Sequence, residues 1–169
     1  MKILLTLFAL TLSLMALQTG EPLPPLSLNG DDGGKVDGTP WSSDELREKV
    51  HVIFYVDPDE KDLNNPFSDA LKAEDFDRSR FASVAVINME ATWLPNFAIA
   101  KSLKAKQEKF PDTIYVKDMH KKGVSAWKVA DDNSDIIITD KSGNVLYLHE
   151  GEVPENSFAE IISLIKEHM

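Results

Sequence analysis

The chain has 169 residues, of which 28 are acidic and 18 basic, so its formal charge at pH 7 is −10. Hydrophobic residues make up 43% of the sequence and charged residues 27%, a composition typical of a folded globular domain rather than a disordered one. The acidity argues against a nucleic-acid partner, because such proteins present a basic surface to the phosphates. The sequence contains no cysteine, which excludes disulfide bonds, thiol redox chemistry and a cysteine nucleophile.

The first segment of the chain is apolar. Lys2 precedes a run from residue 3 to residue 17 that only three hydroxyl residues interrupt, which is the length and pattern of a signal peptide. The run is shorter than the ~20 apolar residues that a comfortable membrane span needs. We predict a signal peptide over residues 1–18, with a boundary defined to within a few residues, and one domain over 19–169. The alternative is an uncleaved membrane anchor. The signal peptide implies a periplasmic protein with no stable membrane association after cleavage.

The remaining sequence alternates between strand and helix patterns. Residues 26–28 and 35–36 flank a stretch rich in Gly and Asp and predict a loose hairpin. Residues 42–45 have the spacing of a capping box, which opens a helical turn. Two apolar runs, at 50–56 and 82–87, are rich in β-branched residues and predict central strands that are buried on both faces.

Helix patterns follow both predicted strands. Residues 63–71 predict a first helix, and a second begins at Pro95 and Asn96. Its predicted buried face carries Ile99, Leu103 and Phe110. Pro111 ends that second helix.

The last third of the sequence predicts a short strand at 113–116, a short helix that carries Trp127, and a hairpin of strands 136–139 and 145–148. A terminal helix follows, because apolar residues recur there at helical spacing, namely at Phe158, Ile161, Ile162 and Ile165.

This order of elements predicts an α/β domain with a thioredoxin-like architecture. The right-handed crossover rule makes strands 50–56 and 82–87 parallel, and the later hairpin adds an antiparallel pair. The central β-sheet is therefore expected to be mixed, with helices on both faces.

Three segments in the second half of the chain resemble the YtfJ family, whose members are exported bacterial proteins with a thioredoxin-like fold. These segments lie at 110–118, at 123–129, where the sequence reads Gly-Val-Ser-Ala-Trp-Lys-Val, and at 135–143, which ends in Asp-Lys-Ser-Gly. The two central strands are also similar, so the resemblance covers most of residues 22–168. It implies a fold and a compartment, but no activity.

The resemblance also implies where a redox site would lie. In thioredoxin-like oxidoreductases a CxxC motif follows the first central strand, and here Glu60 and Leu63 are expected near the two cysteine positions. A proline that faces those cysteines would lie near Ser134. Because both parts of the motif are missing, we expect the fold without thiol redox activity.

A groove between the corresponding loops is the candidate functional surface. We expect it to bind a protein or peptide partner with basic and hydrophobic residues, since its rim is acidic and the loop after the second central strand offers an apolar Trp-Leu pair. Such a pair more often packs against a core than against a partner, so both roles stay open. The predicted groove residues are Asp57, Asp59, Glu60, Leu63, Trp93, Leu94, Asp132 and Ser134.

The acidic loops at 57–62 and 131–135 leave two further functions open, a metal-assisted hydrolase and an acidic calcium-binding protein. The first of these loops does not fit the EF-hand pattern, and no histidine pair has the local spacing of zinc ligands. The sequence therefore indicates no catalytic residue, no resident metal and no cofactor. We interpret the chain as a monomeric binding or accessory module.

Overall fold

The computed structural model of the chain describes residues 17–169, so nearly all of the predicted signal peptide lies outside the described residues. Twelve regular elements are present in that range, together with four short 3-10 turns. They are β1 (Ser27–Leu28), β2 (Gly33–Lys35), β3 (Trp41–Ser42), β4 (Val50–Val56), α1 (Asn65–Ala73), β5 (Phe81–Asn88), α2 (Asn96–Lys109), β6 (Thr113–Asp118), α3 (Lys122–Trp127), β7 (Ser134–Thr139), β8 (Val145–His149) and α4 (Phe158–His168).

A six-stranded mixed sheet forms the centre of the domain, with the strand order β2-β6-β5-β4-β7-β8. Strand β4 runs parallel to β5, and β5 runs parallel to β6, whereas β7 and β8 form the antiparallel hairpin. The predicted mixed sheet and its parallel central pair are therefore confirmed. Strand β4 lies between two neighbours, which explains why its sequence is almost continuously apolar.

One face of the sheet packs against α1, α2 and α4. Val50 and Val52 of β4 lie in a cluster with Phe67 of α1 and Ile161 of α4, while Ile99 of α2 packs against the neighbouring part of the same face. The predicted buried faces of α4 and, at Ile99 and Leu103, of α2 are thus confirmed. Phe110, predicted on the same face of α2, follows the last residue of that helix and is only half-buried.

The opposite face of the sheet packs against α3 and the N-terminal segment. Trp127 of α3 is buried, and its ring contacts the rings of Trp41 and Tyr55 edge to face at centroid distances of 6.4 Å and 6.1 Å. The Trp127 indole N–H donates to the carbonyl of Pro24 at 2.8 Å. The proline-rich entry segment is therefore part of the domain, and helices lie on both faces as predicted.

The predicted hairpin between residues 26–28 and 35–36 is wrong. Instead, β1 pairs with β3, and β2 pairs antiparallel with β6 at the edge of the main sheet. Gly33 and Gly34 have φ values of +120° and +124°, and a Cβ at Gly33 would lie 1.9 Å from the carbonyl oxygen of Lys117. Only glycine permits this approach, so the Gly-Gly pair forms an edge strand rather than a turn.

The turn after β3 follows its prediction. Ser42 caps a 3-10 turn through Asp44 N–H, and the Glu45 carboxylate accepts from the Ser42 N–H, which completes the capping box. Within residues 17–169, none of the helices combines the length and the hydrophobicity that a membrane span requires.

Candidate functional site

The candidate site lies at the edge of the sheet where the parallel strands β4, β5 and β6 end. In open α/β sheets this carboxyl edge is where ligands bind. The N–H of Asp57, which follows β4, donates to the carbonyl of Asn133, which precedes β7, at 2.8 Å. The two acidic loops that were expected to approach each other are therefore hydrogen-bonded neighbours.

Asp57 directly follows β4 at this edge and is buried. Its carboxylate accepts a hydrogen bond from the Asp59 N–H at 2.8 Å and caps the 3-10 turn that follows. Burial raises the pKa of Asp57, and the nearby carboxylates of Asp59, Glu60 and Asp132 raise it further, while the Asp59 N–H opposes the shift. The Asp57 carboxylate thus has a hydrogen-bond partner, but its negative charge destabilises the folded protein.

Asn64, which sequence reasoning did not single out, joins three segments of this edge. Its side-chain amide donates to the Ser134 carbonyl at 2.8 Å, the Ser134 hydroxyl at 3.1 Å and the Gly151 carbonyl at 3.0 Å. Its side-chain oxygen accepts from the Val153 N–H at 3.0 Å. Asn64 is buried, so these bonds replace water that it cannot reach.

The start of α1 defines where a redox motif would lie. Glu60 is in the 3-10 turn and is exposed, and Leu63 is half-buried two residues before the helix. A helix N-terminus lowers the pKa of a cysteine in a CxxC motif. The residues with that spacing across the start of α1 are Asn64 and Phe67, both of them buried. An amide and a phenyl ring therefore stand at the helix end that would activate a thiol.

Ser134, expected at the position of the opposing proline, begins β7 and is buried. Its backbone pairs with Val56 of β4, and its hydroxyl contacts the Asn64 amide. The hydroxyl is thus held by a neutral amide donor, which does not activate it as a nucleophile.

A second buried side-chain amide, that of Asn88, lies at this edge. The Asn88 amide, at the end of β5, donates to the carbonyl of Asp131 at 3.0 Å and to its carboxylate at 2.9 Å. The same carboxylate accepts from Lys121 at 2.7 Å, and the Lys121 and Asn88 hydrogen bonds lower the pKa of Asp131. The loop before β7 is therefore tied to β5 as well as to β4.

Trp93 and Leu94 have different environments. Leu94 is half-buried and packs against the cluster that includes Ile87 and Ile99, so the packing interpretation is right for this residue. Trp93 is 86% exposed, and Phe97, at the start of α2, is 77% exposed. The packing interpretation is wrong for Trp93, because its indole reaches solvent instead of the core.

A small cavity of about 110 Å³ lies below this edge, between α1 and α2. Its lining includes Pro58, Asn64, Lys106 and Ser134. Burial lowers the pKa of Lys106, and the nearby carboxylate of Asp62 opposes that shift. Of the eight predicted groove residues only Ser134 lines the cavity, so the predicted groove is an open surface of this edge rather than one enclosed pocket.

The rim of that surface is acidic. Asp59, Glu60 and Asp132 are exposed, and all three contribute to the field at Asp57. Between residues 17 and 169, no group of three or more His, Asp or Glu side chains is arranged to hold a metal ion. What the described residues of this edge present is negative charge and an exposed indole.

The comparisons with known proteins place this chain in a family. The family described as "Bacterial protein of unknown function (YtfJ_HI0045)" matches residues 25–168. The chain belongs to this family. The resemblance found in the sequence is thereby confirmed, and the YtfJ family has no established activity that could be transferred.

Individual relatives agree with this assignment. An uncharacterized protein of Haemophilus influenzae is 29% identical over 130 residues, which are 75% of this chain and 70% of the relative. The uncharacterized protein YtfJ of Escherichia coli is 22% identical over 176 residues, 96% of this chain and 95% of that protein.

The solved structures show the fold. A thiol-disulfide isomerase from Corynebacterium glutamicum superposes with a TM-score of 0.60 at 18% identity, over 85% of this chain and 96% of that one. The predicted thioredoxin-like fold is confirmed. At this identity the likeness concerns the fold alone, and this YtfJ-family chain has no cysteine that could carry the isomerase chemistry.

Proposed function

We propose that this YtfJ-family protein is an exported binding module that recognises a partner segment at the carboxyl edge of its sheet. The observation that carries the proposal is the exposure of Trp93 in the loop after β5, which leaves the sheet at the same edge as the acidic loop after β4. Large aromatic side chains that a soluble protein leaves in solvent often mark interaction surfaces, and tryptophan is enriched among the residues that dominate binding energy.

The chemistry of this surface defines the partner. Asp59, Glu60 and Asp132 supply exposed negative charge, while Trp93 and Phe97 supply exposed rings. A partner segment with basic residues next to hydrophobic ones complements both features. The charges act mainly on the association rate and its salt dependence, whereas the indole contributes to the lifetime of the complex.

The rigid edge behind the rim supports this function. Asn64 and Asn88 fix the loops on which the acids stand, so little loop ordering is needed on binding. The missing thiols remove covalent capture of a partner but not the surface that the loops present.

Trp93→Ala tests the proposal. Because the indole is almost fully exposed, the substitution should leave the thermal unfolding midpoint unchanged. It should weaken the binding free energy for the partner by about 2 kcal/mol, roughly thirtyfold in Kd, and so reduce the amount of partner that crosslinking captures. Co-purification from intact crosslinked cells and thermal denaturation of the same variant are the two measurements. A loss of stability with retained partners would contradict the proposal.

The contribution of the acidic rim is tested with a charge-reversed double variant and a matched control. Asp59→Lys/Asp132→Lys should reduce capture, and the loss should shrink at high salt. The control is Glu155→Lys/Glu160→Lys, which changes the net charge by the same amount. Its two residues are exposed and lie in α4 and in the 3-10 turn just before it, Glu155–Ser157. If the two double variants behave alike, the attraction is a property of the net charge and not of this edge.

Export is the second part of the proposal, and it rests on the apolar N-terminal run and the family resemblance. Backbone hydrogen bonds join Gly20 to Val145 and Leu23 to Gly143, so cleavage before Gly20 leaves these contacts intact. We expect the periplasmic fraction to contain a protein whose first residue lies between Leu17 and Glu21, as N-terminal sequencing would show. Recovery of the intact chain from the cytosol would contradict this.

A further inference from the structure

The opposite, amino-terminal edge of the parallel strands carries a second cleft that the proposed function does not use. Its volume is about 440 Å³, within the range of small-molecule sites in proteins. It lies between the C-terminal ends of α1 and α2, above the first residues of β5 and β6. We propose that this cleft binds a small organic anion with an apolar, preferentially aromatic, body.

The charge of the cleft differs from that of the whole chain. Four basic side chains line it against two acidic ones, Asp75 and Asp112, although the protein carries a formal charge of −10. The basic residues are Lys49, Lys72, Arg78 and Lys109. An excess of positive charge inside a concave surface concentrates anions from solution.

Pairing within the protein accounts for only part of this charge. Arg78 forms an ion pair with Asp112, and Lys72 forms one with Asp69 at 3.0 Å. Lys49 donates to the carbonyl of Arg78 at 2.7 Å, and so it has a dipole rather than a carboxylate as its partner. Lys109 has no carboxylate partner within residues 17–169 of the structure.

Two ammonium groups approach the same aromatic ring. Lys72 lies 4.4 Å from the centroid of Phe110, and Lys109 lies 5.0 Å from it. The helix dipole explains why a lysine is favourable near the end of each helix. It does not explain Lys49 and Arg78, which lie outside the helices, nor why two like charges share one ring. A bound anion would relieve that repulsion.

The apolar part of the cleft indicates the body of the ligand. Phe76, Phe81 and Phe110 line it, and all three rings are only partly buried. The rings of Phe76 and Phe81 lie 4.6 Å apart and are inclined by 40°. A flat or aliphatic group can bury the exposed parts of these rings while its carboxylate, sulfonate or phosphate contacts the lysines.

The proposal is tested with 8-anilinonaphthalene-1-sulfonate, an aromatic sulfonate whose fluorescence rises in apolar sites. The probe should bind one site per chain. Lys72→Gln/Lys109→Gln should weaken binding about tenfold, because it removes the two charges nearest Phe110. The control is Lys101→Gln/Lys104→Gln, which removes the same charge from exposed residues of α2 outside the cleft and should change the affinity less than twofold.

Two further measurements locate the probe and test its charge. Amide chemical shifts should change mainly within 71–83 and 109–114, and Trp93→Ala should bind the probe like the unaltered protein. N-phenyl-1-naphthylamine, the neutral analogue, should bind at least tenfold more weakly. Equal affinity of the two lysine variants, equal affinity of the neutral analogue, or shifts centred on Trp93 and Phe97 would overturn the proposal.

Discussion

The two edges of the sheet use polar residues in opposite ways. At the carboxyl edge the amides of Asn64 and Asn88 are buried and bonded to loops that lie far away in the sequence. At the amino edge, Lys72 and Lys109 stand exposed over the half-buried ring of Phe110. The first arrangement fixes the shape of a surface, and the second leaves charge available to a ligand.

This difference shows what replaces a catalytic site when its reactive atoms are absent. The edge where a thioredoxin-like enzyme keeps its thiols is here closed by hydrogen bonds, with Asn64 and Ser134 in contact with each other. A polar network of this kind holds loops in place. Under the proposed function, binding at this edge depends on what the loops expose, above all Trp93.

The largest effect is expected at Asn64. Asn64→Ala removes the partners of two buried carbonyls and of the Val153 N–H, which should lower the free energy of unfolding by about 3 kcal/mol. Asn65→Ala is the matched control, because the neighbouring side chain is exposed and bonds only to Asp62, so its cost should stay below about 0.5 kcal/mol. Urea unfolding of both variants makes the comparison. Similar costs would show that the buried network does not fix this edge.

A smaller effect is expected at the amino edge. Phe110 is only partly buried, so Phe110→Ala should cost about 1.5 kcal/mol, less than the 3–5 kcal/mol typical of a fully buried ring. Phe67→Ala, in the core beneath α1, provides the fully buried reference. Both values follow from denaturant unfolding. A cost at Phe110 as large as that at Phe67 would mean that the ring belongs to the core rather than to an open cleft.

Sequence patterns predicted those parts of this fold that are specified locally. The apolar run at 50–56 is observed as β4 with the same bounds, and the hairpin of β7 and β8 and the terminal helix also agree. Each has a pattern of apolar or turn residues that can be seen within a short stretch of sequence. The pairing of β2 with β6 has no such local pattern, because the paired residues are more than 80 positions apart and the glycines of β2 resemble those of an ordinary turn.

The candidate site was only partly predictable for the same reason. The proximity of the two acidic loops follows from the topology of the fold, and the Asp57–Asn133 hydrogen bond shows it. The role of Asn64 cannot be predicted from the topology, because its hydrogen-bond partners at 134, 151 and 153 are 70 to 89 positions away in the sequence. Nor does a Trp-Leu pair reveal which of its members reaches the core, because that depends on how the loop leaves β5.

The smallest effect concerns the charge of Asp57 and appears only as a dependence on pH. Burial raises the pKa of this carboxyl in the folded protein above its unfolded value near 4, so the folded state holds a proton that the unfolded state has already lost. Between these two pKa values stability falls as pH rises, and above them the full free-energy cost of the buried charge remains.

Asp57→Asn keeps a capping side chain without the charge. Relative to the unaltered protein, this variant should be more stable at neutral pH, and the gain should vanish as the pH falls towards the unfolded pKa of the carboxyl. Asp59→Asn removes an equal charge from an exposed neighbour and should show a smaller gain, since only the electrostatic repulsion is relieved. Urea unfolding of all three proteins from pH 4 to pH 8 measures the difference. A gain at Asp57 that does not depend on pH would mean that the carboxylate of this edge is as well solvated as its exposed neighbours.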